Sequence, residues 1–251
     1  MEEFENIKTI VVGDKFNDYA EGKNAITASE LLKSIKNSSS TSCLKGHFVL
    51  GQGVNYQIAQ DIIDSYNTMS DVIDNVDISD IHKATLSERN KLAHKVKPCN
   101  VIIGLVKKIS EDNFELPLLV DDNCELLQDH QTGQHIQGIM IIEAFRQAIV
   151  AVTEEFYPIN RGKKSTLVVS SINTYYNNFL FPLPTTITFN VIKKQATNNK
   201  QTITALLEAR QNGEVCAYTE CEYTVCPSSI MKRAEIKMAT SVTNDYLENT
   251  L

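Results

Sequence analysis

Residues 129–148, DHQTGQHIQGIMIIEAFRQA, hold a dense set of side chains able to do chemistry. Two histidines, His130 and His135, precede a run that is almost wholly apolar, and Glu143, Arg146 and Gln147 interrupt that run. At helical spacing Glu143 and Gln147 share a face and Arg146 adjoins it. A lone carboxylate on a buried helix is costly unless it is paired or neutralised. The plain reading of Glu143 is therefore an ion pair with Arg146 at a rim or a subunit interface. A richer reading uses the neighbours. Gly138 falls in the first predicted turn, where backbone N–H groups lack partners and the positive end of the helix dipole lies. A missing side chain there lets a carbonyl approach closely. Donors so placed stabilise the oxyanion of acyl transfer, and a histidine and a carboxylate beside them can act as general base and acid. Glu143, His135 and His130 are the candidate catalytic residues. Gly138, Arg146 and Gln147 are the candidate substrate-binding residues.

These groups need a helix to hold them. Apolar residues from Ile136 through Val152 cover nearly every side, which predicts a helix from about Gln137 to Phe156 buried on most of its surface. Pro158 and the following NRGKK end it. Before it, NVIIGLVKKISEDNFELPLLVDD (100–122) reads as two strands around the turn SEDN. After it come four strand patterns, 166–176, 185–195, 202–211 and 214–225, joined by short pieces such as NNK and QNG. Joints so short imply antiparallel pairing. The predicted fold class is α+β: an antiparallel sheet wrapped around a long central helix.

The N-terminal third differs. KTIVVGD (8–14) and GHFVLGQGV (46–54) read as strands; ITASELLKSIK (26–36) and YQIAQDIIDSY (56–66) read as helices, the first capped by Thr27 or Ser29. The polar, Asp-rich stretch 67–90 reads as a linker or short helices. The expected division is an α/β region over 1–90, the sheet-and-helix domain over 91–228, and a polar tail over 229–251 that could form a frayed helix.

Composition narrows the function. A net charge of -7 argues against a nucleic-acid partner, which needs a basic face. No apolar run approaches the ~20 residues that span a bilayer. The acidic start MEEFENIKTI lacks a signal-peptide pattern, and six cysteines fit reduced thiols, so a cytoplasmic location is expected. Cys216, Cys221 and Cys226 are spaced by five, which on a strand alternates their faces; no metal is expected. GQGVNY (51–56) begins like a dinucleotide fingerprint, but Tyr56 stands where the third glycine belongs. RGKK (161–164) and KKQATNNK (193–200) could dock a phosphate or an acidic carrier and read more simply as solvated turns.

The 129–148 block resembles the A-factor biosynthesis (AfsA-type) family of hot-dog domains, within the thioesterase and dehydratase superfamily. That family's pattern runs Asp-His-Pro-x-Asp-His-x-x-Gly, an apolar run, then Glu-Ala-x-Arg-Gln-Ala. Asp129, His130, His135, Gly138, Glu143, Ala144, Arg146, Gln147 and Ala148 match it. AHKVKPCNVIIG (93–104) and SSINTYYNNFLFPLPTTITFNV (170–191) are similar to the strands on either side, so the resemblance covers about residues 92–226. One extra residue separates the two histidines, and Gln134 and Gln137 stand where Asp and Pro are usual. The family often carries two hot-dog repeats; residues 1–90 show no second histidine loop.

The resemblance implies an acyltransferase of γ-butyrolactone formation. It would move a β-ketoacyl group from a thioester, on acyl carrier protein or coenzyme A, to a small hydroxyl acceptor such as dihydroxyacetone phosphate. Glu143 or His135 would deprotonate the acceptor, N–H groups near Gly138 would polarise the thioester carbonyl, and Arg146 and Gln147 would orient Glu143 or bind the acceptor. No cofactor beyond the carried substrate is implied, and a homodimer is expected. The alternatives are an acyl-thioester hydrolase, a hydroxyacyl-thioester dehydratase, or a non-catalytic module that binds an acyl ligand or partner.

Overall fold

A computed structural model describes residues 7–37, 44–69, 75–128, 133–159, 164–197 and 199–248. The chain begins with β1 (Lys8–Val12), a one-turn helix α1 (Asn17–Ala20), β2 (Ala25–Thr27), α2 (Ala28–Lys36), β3 (Gly46–Leu50), α3 (Tyr56–Met69) and β4 (Val76–Asp77). The strands form a parallel sheet in the order β2-β1-β3-β4. The sequence pattern predicts β1, α2, β3 and α3; α1, β2 and β4 are too short to carry a readable period. Thr27 caps α2: its hydroxyl accepts from the Glu30 N–H at 3.3 Å and the Glu30 carboxylate accepts from the Thr27 N–H at 3.2 Å. After α3, part of the predicted linker forms two 3-10 turns, Ser79–Ala84 and Leu86–Glu88, and buries Ile81 and Ala84.

The second half contributes β5 (Lys107–Lys108), β6 (Asn113–Pro117), α4 (Gly138–Phe156), β7 (Ser165–Tyr176), β8 (Thr186–Thr197), β9 (Lys200–Gln211) and β10 (Glu214–Pro227). All pairings in this six-stranded sheet, ordered β5-β6-β8-β9-β10-β7, are antiparallel. The β9–β10 hairpin turns on Asn212 and Gly213, both at positive φ, the pairing that two-residue hairpins favour. The helix and the four strands after it lie where apolar spacing places them. The two strands predicted over 100–122 shrink to β5 and β6, and Ile103 and Gly104 are held by isolated bridges to Leu118 and Arg89. Helix α4 packs Met140, Ala144, Phe145, Ala148 and Val152 into one core with Phe189, Leu207 and Tyr223 of the sheet. The Tyr223 hydroxyl, fully buried, meets Thr153 Oγ1 at 2.8 Å and fixes the helix against β10. The polar tail is α5 (Ser228–Glu248), a 21-residue helix in which no residue is buried.

The two sheets are joined at the carboxyl ends of β1 and β3. Gln52, buried, accepts from Val120 N at 2.9 Å and donates to Leu118 O at 3.0 Å. The N–H of Tyr56, at the start of α3, points to Asp121 Oδ2 at 3.4 Å, and Asn55 accepts from the next two N–H groups. A phosphate would occupy that helix end in a dinucleotide site; here a carboxylate from the sheet-and-helix half stands there. Arg89 binds the same Asp121 at 3.0 Å, both side chains being buried. Val12, Phe16 and Ala20 sit in the core of the second half, and Leu119 sits in the core of the first. GQG is thus the glycine-lined joint between the two halves. Gly53 has φ +90°, and a β-carbon on it would lie 2.7 Å from the Phe16 ring and 2.8 Å from Asp122 Oδ1. We expect Gly53→Ala to cost more than about 3 kcal/mol and to lower the melting temperature by roughly 10 °C, read by circular dichroism; an unchanged melt would show that the joint can open.

Candidate active site

The first turn of α4 forms one wall of a cleft of about 520 Å³ lined by His135, Ile136, Gly138, Ile141 and the segment Tyr176–Leu180. The loop carrying His135 is set by Ile136, whose N–H donates to Leu180 O at 2.7 Å. Gln137 takes the cap position with extended backbone and makes no side-chain cap. The half-buried His135 ring stands 4.8 Å from that of Phe179, centre to centre. Tyr176 crosses the first turn and donates to Gly138 O at 2.9 Å. A β-carbon at Gly138 would lie 3.0 Å from the Tyr176 ring, so glycine is what lets the tyrosine lie over the turn. The cleft therefore pairs an imidazole and a helix N-terminus with aromatic and aliphatic walls.

Glu143, Arg146 and Gln147 do not line this cleft. They gather about 140° away around the helix axis, at the loop that leads from Ala93 to Ile102. Arg146 grips Glu143 with two bonds of 2.8 Å, Lys95 approaches Glu143 Oε1 at 2.7 Å, and the Gln147 amide donates to the same oxygen at 2.9 Å. Burial alone would raise the Glu143 pKa; the donors from Arg146, Lys95 and Gln147 outweigh it and hold the carboxyl down at about 2. The Gln147 side chain, fully buried, also donates to Asn100 O at 2.8 Å and accepts from Ile102 N at 3.0 Å. Its amide is thus committed to Glu143, Asn100 and Ile102. Lys97 and Asn100 pair with Glu125, and His94 meets Glu154 at 2.7 Å, so the loop is fastened on both sides of the clamp.

Six residues carry the sequence reading, and the structure divides them. His135 and Gly138 share the cleft; Glu143, Arg146 and Gln147 share the clamp; His130 lies outside the described residues. Lys95, Tyr176 and Phe179 join these two groups without having been singled out. Lys95 stands inside the quoted AHKVKPCN stretch, but nothing in its spacing ties it to Glu143, which is distant in sequence. Of the basic clusters, Lys194 lies 3.9 Å from Asp112 and over the Tyr157 ring. Among the described residues, no three His, Cys, Asp or Glu side chains gather to hold a metal ion, and no helix is long and apolar enough to cross a membrane.

An antiparallel sheet packed on one long helix, with its polar groups at the helix start and along one side, defines a hot-dog domain. The A-factor biosynthesis hotdog domain model matches residues 76–227, more than half of the chain, and the protein belongs to that family. Among solved structures it is similar to a Haemophilus influenzae thioesterase at 17% identity, over 55% of this chain and 87% of that one, with a TM-score of 0.40. AziG of S. sahachiroi matches at 16% identity, over 49% and 90%, with a TM-score of 0.37. A mutant thioesterase of Pseudomonas aeruginosa matches at 11% identity, over 50% and 81%, with a TM-score of 0.34. No curated protein sequence matches the chain.

Proposed function

We propose that the protein is an acyl-thioester enzyme that transfers a β-ketoacyl group from a carrier thioester to a small hydroxyl acceptor such as dihydroxyacetone phosphate. The observation that carries this reading is the cleft at the start of α4, where His135 and the first helical turn share one open pocket with Ile136, Ile141, Phe179 and Leu180. In the proposed reaction His135 takes the acceptor's hydroxyl proton as the oxygen attacks the thioester carbonyl. The N–H groups of Gly138 and Ile139, which have no partner within the helix, receive the developing oxyanion, while that of Met140 donates to Gln137 O at 3.0 Å. Collapse of the adduct breaks the carbon–sulfur bond, and the proton held by His135 leaves with the thiol. Ile136, Ile141, Phe179 and Leu180 line the path of the acyl chain.

Glu143 fits a supporting part better than that of base. With a pKa held down at about 2 it has little affinity for a proton near neutrality. It gathers Lys95 and Arg146 into a fixed cationic rim, suited to the phosphate of the acceptor or of the carrier's prosthetic arm. A homodimer accords with β7, a twelve-residue edge strand of the sheet that leaves Val168, Val169, Tyr175 and Tyr176 exposed.

The test is mass spectrometry of products from β-ketoacyl thioesters, bound to carrier protein or to coenzyme A, with and without dihydroxyacetone phosphate. A phosphorylated ester formed only with the acceptor is the expected result. Free acid made regardless of acceptor would assign a hydrolase, enoyl thioester from a hydroxyacyl substrate a dehydratase, and binding without turnover a non-catalytic module.

A further inference from the structure

Helix α5 begins one residue after the family match ends and has no buried residue along its length. A helix of 21 residues is about 31 Å long, and one this exposed gains little from packing, which supplies most helical stability in proteins. Yet α5 presents Met238, Val242 and Tyr246 to solvent at 68%, 66% and 69% exposure. With Met231 and Ala234 these residues follow one another at spacings of three and four, a stripe along one side; Ile236 and Leu247, also exposed, lie on the opposite side. Glu235 and Asp245 fall within it, Glu235 three residues from Lys232.

The charges are segregated along the axis. Lys232, Arg233 and Lys237 stand in the first half with one acid, Glu235; Asp245 and Glu248 stand in the second half with no base. This order opposes the helix's own dipole, which favours acids at the start and bases at the end. It suits a neighbour whose charges run the other way. A second α5 laid antiparallel has that pattern, bringing the basic half of each helix onto the acidic half of the other. A parallel pair would set like charges side by side.

We infer that α5 is a self-association surface whose occupant is the α5 helix of a second copy of this chain, packed antiparallel. Full overlap places Met238 on the two-fold axis, Ala234 opposite Val242, and Met231 opposite the Asp245–Tyr246 pair. The small side chain meets the branched one, and the longer ones meet near the ends.

Exposed positions on α5 allow the test without disturbing the fold. Single cysteines are introduced into the full chain and oxidised, with the unmodified protein as control for the native thiols. Met238→Cys should give a disulfide-linked dimer. Ala234→Cys and Val242→Cys should each stay unlinked, because in this register each lies about 12 Å along the axis from its own copy, beyond disulfide reach. Mixing those two proteins should give the linked heterodimer. A Lys232→Glu, Lys237→Glu double variant should lose the Met238→Cys link, and pairing with an Asp245→Lys, Glu248→Lys partner should restore it. Self-linking of Ala234→Cys and of Val242→Cys would establish a parallel pair and overturn the arrangement. Absence of any link through Met238→Cys would overturn the self-association.

Discussion

His135→Ala is expected to slow acyl transfer by about 10²–10⁴-fold, the usual contribution of a positioned base, while the melting temperature stays within a few degrees of the parent. The ring lines an open cleft and packs on Phe179, itself 66% exposed, so little core packing is lost with it. Glu143→Gln should differ in kind. It keeps the shape of the clamp but removes the charge that holds Lys95 and Arg146, so it should weaken acceptor binding more than the chemical step. The pH dependence separates the two roles. The folded pKa of Glu143 is lowered, so its stabilising contribution is complete above the ordinary value of 4.5 and is lost only as pH falls toward about 2. No limb of the pH–rate profile near neutrality should belong to it. The check is the profile of kcat and kcat/KM for parent, His135→Ala and Glu143→Gln with thioester and acceptor. An acid limb near neutrality that vanishes in Glu143→Gln would return the role of base to the carboxylate.

Asp122→Asn is expected to flatten the pH dependence of stability. Asp122 is buried where the two halves meet; Oδ2 takes a long bond of 3.3 Å from Lys15 N, and Oδ1 has no hydrogen-bond partner among the described residues. Burial pushes its pKa up to about 7, with the N–H groups of Lys15 and Asp14 opposing and the charges of Asp14 and Asp121 adding to the rise. The sign follows from the raised value. The stability that the protonated group supplies is present below the ordinary carboxylate pKa of 3.8, is lost as pH rises through about 7, and changes little above that. At 1.36 kcal/mol per pKa unit, the loss is of order 4 kcal/mol. Asparagine has no charge to bury and is free of this loss. Melting curves at about pH 4 and pH 8 should therefore show the parent losing on the order of 10 °C relative to the variant. Parallel loss in both proteins would mean that the Asp122 carboxyl is solvated at the joint.

Much of this architecture is legible in the amino-acid sequence because it rests on local periodicity. The apolar run of α4, the alternation of β7 to β10 and the Thr27 cap of α2 are signals within one element. The Glu143–Arg146–Gln147 grouping is legible for the same reason, since three and four residues make one helix face. What escapes reading is carried by distant contacts. Lys95 reaches Glu143 across 48 positions, and Tyr176 reaches Gly138 across 38. The separation of His135 from Glu143 into a cleft and a clamp depends on the angle at which the loop enters α4, which spacing along the chain does not encode. The GQG motif shows the opposite hazard. Its glycines mark a close backbone approach, as they would at a nucleotide, but what approaches is the protein's own Val120–Asp122 segment.

The traded core residues of the two halves bear on how such a chain can change over generations. Phe16 completes the interior of the second half and Leu119 that of the first, while Asp121 fills the end of α3. A cut near residue 90 would leave a hole in each piece and strand a buried guanidinium from its carboxylate. The N-terminal α/β layer is thus no cassette to be lost, swapped or borrowed by another enzyme. Recombination within this lineage must carry both halves together, and a substitution on one side of the joint is answerable to the other.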